Sequence, residues 1–176
     1  MFGFFMSLFS CVGSTQTSDD GHFSLMKSCT FCHVSKPNGF RIVWEDDTFC
    51  AFIDHKPAAE HHLLIIPKIH ITSVRSLTKK DTIMVQSMER IGHDILDGLS
   101  VSPSARRMGF HIPPFNSVDH LHLHVHGLPY ASPFREAKYM ISKDSHGNEK
   151  GYGWFAEVGQ VIRILEKGGR VRVSPC

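Results

Sequence analysis

The stretch His120-Leu121-His122-Leu123-His124-Val125-His126 alternates imidazole and aliphatic side chains without a break. In an extended chain the side-chain period is two, so the four rings belong to one face and Leu121, Leu123 and Val125 to the other. Neighbours on one face then stand roughly 6.6 Å apart, from a rise of about 3.3 Å per residue. A row of imidazoles is costly to bury and packs no better than apolar side chains, so it reads as a functional face of a strand rather than as core.

The flanking text supplies a sheet for that strand. Arg41-Ile42-Val43-Trp44 and Phe49-Cys50-Ala51-Phe52-Ile53 read as a hairpin around Glu45-Asp46-Asp47. His62-Leu63-Leu64-Ile65-Ile66-Pro67 is a buried strand closed by proline, and Arg107 to Phe110 and His120 to Gly127 are two more. Thr78-Lys79-Lys80-Asp81 has the form of a capping box. After it Met84, Val85, Met88, Ile91, Ile95 and Leu99 recur at spacings of three and four, which predicts an amphipathic helix of about five turns. Val158, Val161, Ile162 and Leu165 predict a second helix, stopped by Gly168-Gly169. The expected fold is α+β: an antiparallel sheet of about five strands, one main helix and a C-terminal helix, with the helices on one side.

Residues 1–28, apolar and then small and polar, read as a poorly ordered extension; 29–135 form the domain, and 136–176 a tail whose helix packs on it with Trp154 and Phe155 docking it. With 41% hydrophobic and 20% charged residues the 176-residue chain can fill one core, which excludes wholesale disorder. Net charge is +2 and no run of five like charges occurs, so nucleic acid is not an expected partner. No apolar stretch reaches the length of a membrane span, and no membrane partner is expected. Five cysteines without an Asn-x-Ser/Thr sequon point to a reducing compartment, the cytoplasm and with it the nucleus. There is no Gly-x-Gly-x-x-Gly, P-loop or Gly-x-Ser-x-Gly sequence, which removes dinucleotide-binding, kinase-like and serine-hydrolase readings.

Two chemistries suit the histidine row. His-x-His pairs on a strand ligate zinc, which would make a metal-dependent phosphohydrolase. Alternatively one imidazole attacks phosphorus while its neighbours hold the charged oxygens. A metal site of the first kind wants a carboxylate, and Asp119 faces the other side of the strand; the spacing leaves both open. Cys29-Thr30-Phe31-Cys32 is a C-x-x-C pair that alone lacks two zinc ligands.

The row resembles the His-φ-His-φ-His-φ-φ motif of the histidine triad family. Trp44-Glu45-Asp46-Asp47, Ala51-Phe52-Ile53-Asp54, Lys56-Pro57-Ala58-Ala59 and His62 to Lys68 with His70 are similar, in order and spacing, to that family's upstream block. Met108 to Phe115 resembles the third-type nucleotide-binding branch and its plant relatives. The resemblance covers about residues 29–130. It implies a nucleotidyl hydrolase or transferase in which His122 attacks an α-phosphorus to form a covalent nucleotidyl-histidine, with no metal required. His120 and His124 would bind phosphate oxygens and relay protons, His62 would orient the triad, and Ser117 would bond the leaving group or the phosphate. Phe52, Ile53, Asp54 and His55 would line the nucleoside pocket, with Asp54 accepting from the ribose hydroxyls, and His111, Phe115 and Asn116 would complete it. Some relatives join a C-x-x-C pair to two histidines, implying structural zinc on Cys29, Cys32, His62 and His120. His126 stands where the motif is aliphatic and is expected to be solvated at the rim. Purine nucleotide conjugates of the AMP type, adenylylsulfate among them, are the implied partners, and a homodimer the implied assembly. A different class of function is an AMP-binding sensor or scaffold with slow turnover; the intact row His120-His122-His124 favours the enzyme.

Overall fold

The computed structural model describes residues 29–144 and 147–176; the extension over 1–28 lies outside the described residues. Ile42–Glu45 (β1) and Phe49–Ile53 (β2) form the expected hairpin. Asp46 closes it by accepting from the Thr48 and Phe49 amides at 2.7 and 2.6 Å, the local competition that makes aspartate a turn residue. β2 pairs with Ala59–Pro67 (β3), β3 with Leu123–Tyr130 (β5) and β5 with Arg106–His111 (β4), every pair antiparallel. Phe155–Glu157 (β6) adds to β4, giving a six-stranded sheet in the order β1-β2-β3-β5-β4-β6.

Thr78 and Asp81 make the reciprocal capping box and the helix Thr82–Gly98 (α1) follows. Its Val85, Met88, Ile91 and Leu96 meet Leu121, Leu123 and Val125 in the main core. Val158–Glu166 (α3), ended near Gly168 at φ 78°, adds Val161 and Leu165 to the same cluster. A short helix, Pro133–Glu136 (α2), lies between β5 and the tail. Both long helices thus cover the aliphatic face of the histidine row. Among the described residues no helix is long and apolar enough to cross a membrane.

The expected antiparallel sheet of about five strands has six, and two other expectations are corrected. The sixth is too short to show a period, and Gly109 admits it: a Cβ there would come within 2.3 Å of the Ala156 carbonyl oxygen. The histidine strand is paired from Leu123 to Tyr130, not from His120 to Gly127, because the Leu121 amide donates to the Ile71 carbonyl at 2.6 Å and the ladder with β3 begins at Ile65↔Leu123. Phe155 packs with Tyr139 and Ala58 towards the histidine face rather than docking the tail helix, while Trp154 is 40% exposed.

The histidine face is not open either. Phe31 and Phe40 cover it at one end, packing against Phe52 and Leu64. Tyr139 and Phe155 cover the other. His120, His122, His124 and His126 are all buried. The expectation of a solvated His126 fails: it has no exposed surface, lying with its ring centroid 4.4 Å from that of Tyr139 and 4.3 Å from that of His62.

Candidate active site

Hydrogen bonds to the backbone fix every tautomer that matters. The Ala58 amide donates to His62 Nδ1 at 3.1 Å, so the proton of His62 is on Nε2. His62 Nε2 then donates to His124 Nδ1 at 2.9 Å, and His124 Nε2 donates to His111 Nδ1 at 3.0 Å. His111 Nε2 donates to the Lys138 carbonyl at 3.0 Å, which closes the chain from the other end with the same direction. Three rings are therefore held neutral between a backbone donor and a backbone acceptor. Burial drives His62 and His111 down to about 4, against the raising pull of Asp54 on the first and of the Lys138 carbonyl on the second. Burial, then the neighbouring imidazoles, hold His124 well below the usual histidine range.

His122 is set differently. Its Nδ1 donates to the His120 carbonyl at 2.6 Å, which leaves the lone pair on Nε2. Burial lowers its pKa as well, so the lone pair is free near neutral pH. His122 and His124 line a cavity of about 380 Å³ whose walls include Phe31, Phe40, Phe52 and Ile53 together with Asp54, His55 and Ser117. A second cavity, about 780 Å³, meets the first at Asp54, His55, Ser117 and His124 and extends to His111, Phe115, Arg135, Lys138 and Trp154. His111 and Phe115 thus stand on the second cavity rather than beside the aromatic one. Asn116 lines neither: its side chain donates to the Val118 carbonyl and the Asp119 carboxylate, bracing its own loop.

His120 departs furthest from expectation. Its Nε2 donates to the Pro67 carbonyl at 2.9 Å, and its Nδ1 lies 3.4 Å from Cys29 Sγ and 3.5 Å from Cys32 Sγ. With both nitrogens engaged it has no free atom for a phosphate oxygen or a relayed proton. Its neighbour in the cluster is His70, with Nδ1 3.2 Å from Cys32 Sγ, and not His62, which belongs to the imidazole chain. The proposed zinc set is therefore corrected to Cys29, Cys32, His70 and His120. Their ligand atoms lie within 4.8 Å of one another. Zn–S bonds near 2.3 Å and Zn–N bonds near 2.0–2.1 Å in a tetrahedron require S···N edges of roughly 3.5 Å, so the residues fit the ion. The His120–Pro67 bond presents an unprotonated Nδ1, as a metal-bound imidazole needs. Burial, reinforced by the Cys29 thiol, pushes Cys32 up to about 11, so a cation has to draw off its proton.

Residues 28–140 match the family described as "Scavenger mRNA decapping enzyme C-term binding". The chain is 35% identical over 161 residues to the adenosine 5′-monophosphoramidase HINT3 of Danio rerio, covering 90% of this chain and 92% of that one. The chain belongs to the histidine triad family. It is also 42% identical over 116 residues to the bifunctional adenosine 5′-phosphosulfate phosphorylase/adenylylsulfatase HINT4 of Arabidopsis thaliana, covering 64% and 79% of the two chains. Among solved structures, a HIT family hydrolase from Clostridium thermocellum superposes with a TM-score of 0.55 at 27% identity, covering 61% of this chain and 96% of that one.

Within this histidine triad protein, several site residues escaped sequence reading. Phe31 and Phe40 close the aromatic cavity, yet they sit in a 3₁₀ turn and a loop without period. From the tail, the Lys138 carbonyl accepts from His111, Tyr139 packs against His62, His111, His124 and His126, and Trp154 lines the second cavity. The long-range Leu121-to-Ile71 bond that carries His70 to His120 leaves no trace in the primary structure.

Proposed function

We propose that the protein is a nucleotidyl hydrolase that cleaves adenylyl conjugates through a covalent nucleotidyl-His122. The single observation that carries this is the orientation of His122: its proton is tied to the His120 carbonyl, and its Nε2 lone pair belongs to a ring that lines the aromatic cavity. A pure binding module has no need of an unprotonated, backbone-oriented imidazole there. The nucleoside occupies the aromatic cavity against Phe31, Phe40 and Phe52, with Asp54 accepting from ribose hydroxyls. Nε2 forms a bond to the α-phosphorus as the bond to the leaving group breaks, and the imidazolium that results keeps its Nδ1 proton on the His120 carbonyl. Water then attacks phosphorus, the P–Nε2 bond breaks, and His122 recovers its lone pair while AMP and a proton leave. Ser117 bonds the phosphate oxygens, while His124, whose two nitrogens are engaged by His62 and His111, departs from the expected phosphate contact and forms the wall behind them.

Cys29, Cys32, His70 and His120 hold structural zinc in this reading. Four protein ligands would leave a bound zinc no position for water, which disfavours a zinc-dependent hydrolysis. Through these residues the segment around Cys29 would be tied to the base of the histidine row. A second copy of the chain covers the apolar hollow beside Trp44, Ile95 and Leu99, where Val43 is 47% and Leu99 42% exposed.

The deciding experiment is turnover of adenosine 5′-phosphoramidate and adenylylsulfate by the purified protein and by His122→Ala. The variant is expected to bind AMP and to lose turnover by about 10³-fold or more. An AMP adduct on His122, trapped by acid quench and located by mass spectrometry, is expected only in the parent. Equal rates in the two proteins would end the covalent route.

A further inference from the structure

The two cavities that meet at His124 differ in charge. The aromatic one is lined by one cation, Arg41, and one carboxylate, Asp54, whereas the larger one is lined by Lys56, Arg135 and Lys138 and by a single carboxylate, Asp54. That carboxylate is already engaged, accepting from the Lys56 amide at 2.7 Å and lying 3.5 Å from His62 Nε2. Two of the three cations have partners. The Arg135 guanidinium donates to the Lys56 and Pro57 carbonyls at 3.2 and 2.9 Å, and Lys138 Nζ sits 5.8 Å from the centre of the Phe134 ring. We propose that this second cavity is the leaving-group site and that Lys56 and Lys138 make it selective for groups that depart as oxyanions over groups that depart as amines.

The inference rests on the nucleotidyl-transfer reading and adds the leaving group to it. Proton placement argues the same way as charge. When His122 Nε2 bonds to phosphorus and a P–O anhydride bond breaks, the electron pair leaves on oxygen as sulfate or carboxylate, and no proton is needed. When a P–N bond breaks, the pair leaves on nitrogen, which must be protonated to depart as an amine. The proton on His124 Nε2 is committed to His111, and that on His111 to the Lys138 carbonyl. Withdrawing one for an amine breaks a chain that backbone groups hold at both ends. A departing oxyanion asks nothing of the chain and gains from three nearby cations.

The test compares kcat/KM for adenylylsulfate with that for adenosine 5′-phosphoramidate, two conjugates sharing the AMP half, in the parent, Lys138→Glu and the Lys56→Gln/Lys138→Gln double variant. The Lys138 side chain is exposed, and the residue is anchored through its carbonyl, which also accepts from Trp154 Nε1 at 3.0 Å; substitution therefore leaves the backbone contacts in place. The parent is expected to favour adenylylsulfate. Lys138→Glu is expected to lower the sulfate-to-phosphoramidate ratio about tenfold at low ionic strength, and added salt to shrink the difference, as for exposed charges. Because the ratio is internal to each protein, a partly unfolded variant does not mimic the effect. A ratio within about twofold of the parent in both variants, with both conjugates still cleaved through His122, overturns the leaving-group assignment and leaves the nucleotidyl-transfer reading standing. A parent that cleaves neither conjugate removes that reading and this inference with it.

Discussion

The two ends of the histidine row are built from the same residue at the same spacing and do opposite things. At the N-terminal end, His120 gives its proton to the Pro67 carbonyl and turns a bare nitrogen to two cysteines and His70. Towards the C-terminal end, one place before His126, His124 stands in a line of hydrogen-bonded imidazoles that begins at the Ala58 amide and ends at the Lys138 carbonyl. Between them His122 bonds to the His120 carbonyl and keeps its second nitrogen for chemistry. In the proposed reading, what would separate metal ligand from nucleophile is the partner of the other ring nitrogen, which the backbone chooses. Histidine identity in a motif is thus a weaker guide to role than the carbonyl or amide beside it.

The sharpest way to break that comparison is at the metal end. Cys32→Ser removes one of four ligands and is expected to reduce bound zinc from near one per chain to well below half. Loss of a structural metal belongs with the largest single-site effects, so stability should fall by more than about 3 kcal/mol. His62→Asn, at the position first expected to ligate zinc, should leave metal content unchanged while impairing turnover. Elemental analysis and urea unfolding of the two variants decide it: equal zinc loss in both would return His62 to the metal site.

The contrast also marks where sequence legibility stops. The hairpin, β3, α1 with its capping box and α3 were all readable, because each carries a period or a cap within a dozen residues. The alternation of the histidine row correctly separates its two faces. It does not say what lies over them: Phe31 and Phe40 come from the segment before β1, and Tyr139 and Phe155 from the tail, so a row read as a surface is buried. His62 and His70 are eight positions apart and look interchangeable as fourth ligands. His62 is fixed on β3 facing the imidazole chain, while His70 lies past its end, next to the Ile71 carbonyl that anchors Leu121. Such long-range pairings leave no local pattern. β6 was missed for a related reason: three residues, seated by the absent side chain of Gly109.

A milder perturbation, acid, acts on the imidazole chain. In the folded protein His62 and His111 are driven down to about 4, whereas an ordinary histidine titrates at 6.5. As pH falls through 6.5 the unfolded chain takes up protons that the folded chain refuses, so the stability contributed by the neutral chain is complete above 6.5 and is lost progressively towards 4. Most carboxylates still hold their charge above pH 5, which leaves the upper part of that window to histidines. Melting temperature should therefore fall steadily from about pH 6.5 to 5, and His111→Asn should flatten the slope. A parent profile that is level over this range would mean that the chain takes up a proton without cost.

The smallest effect is expected at the last member of the row. His126 Nε2 is enclosed with no hydrogen-bond partner, unlike the cavity-lining Nε2 of His122, and the His126 Nδ1 is 3.4 Å from the Tyr130 hydroxyl, at the edge of bonding range. A buried polar atom without a partner costs about 1–3 kcal/mol, and β-branched side chains suit a strand interior. Valine fills less volume than imidazole, and the small cavity it leaves offsets part of that gain. His126→Val should then change unfolding free energy by no more than about 1 kcal/mol, towards stabilisation, with turnover within about tenfold of the parent. If instead the variant loses 3 kcal/mol or falls in activity as far as His122→Ala, His126 holds a partner that couples it to the chain through His62, and the proton line runs one ring further than the hydrogen bonds trace it.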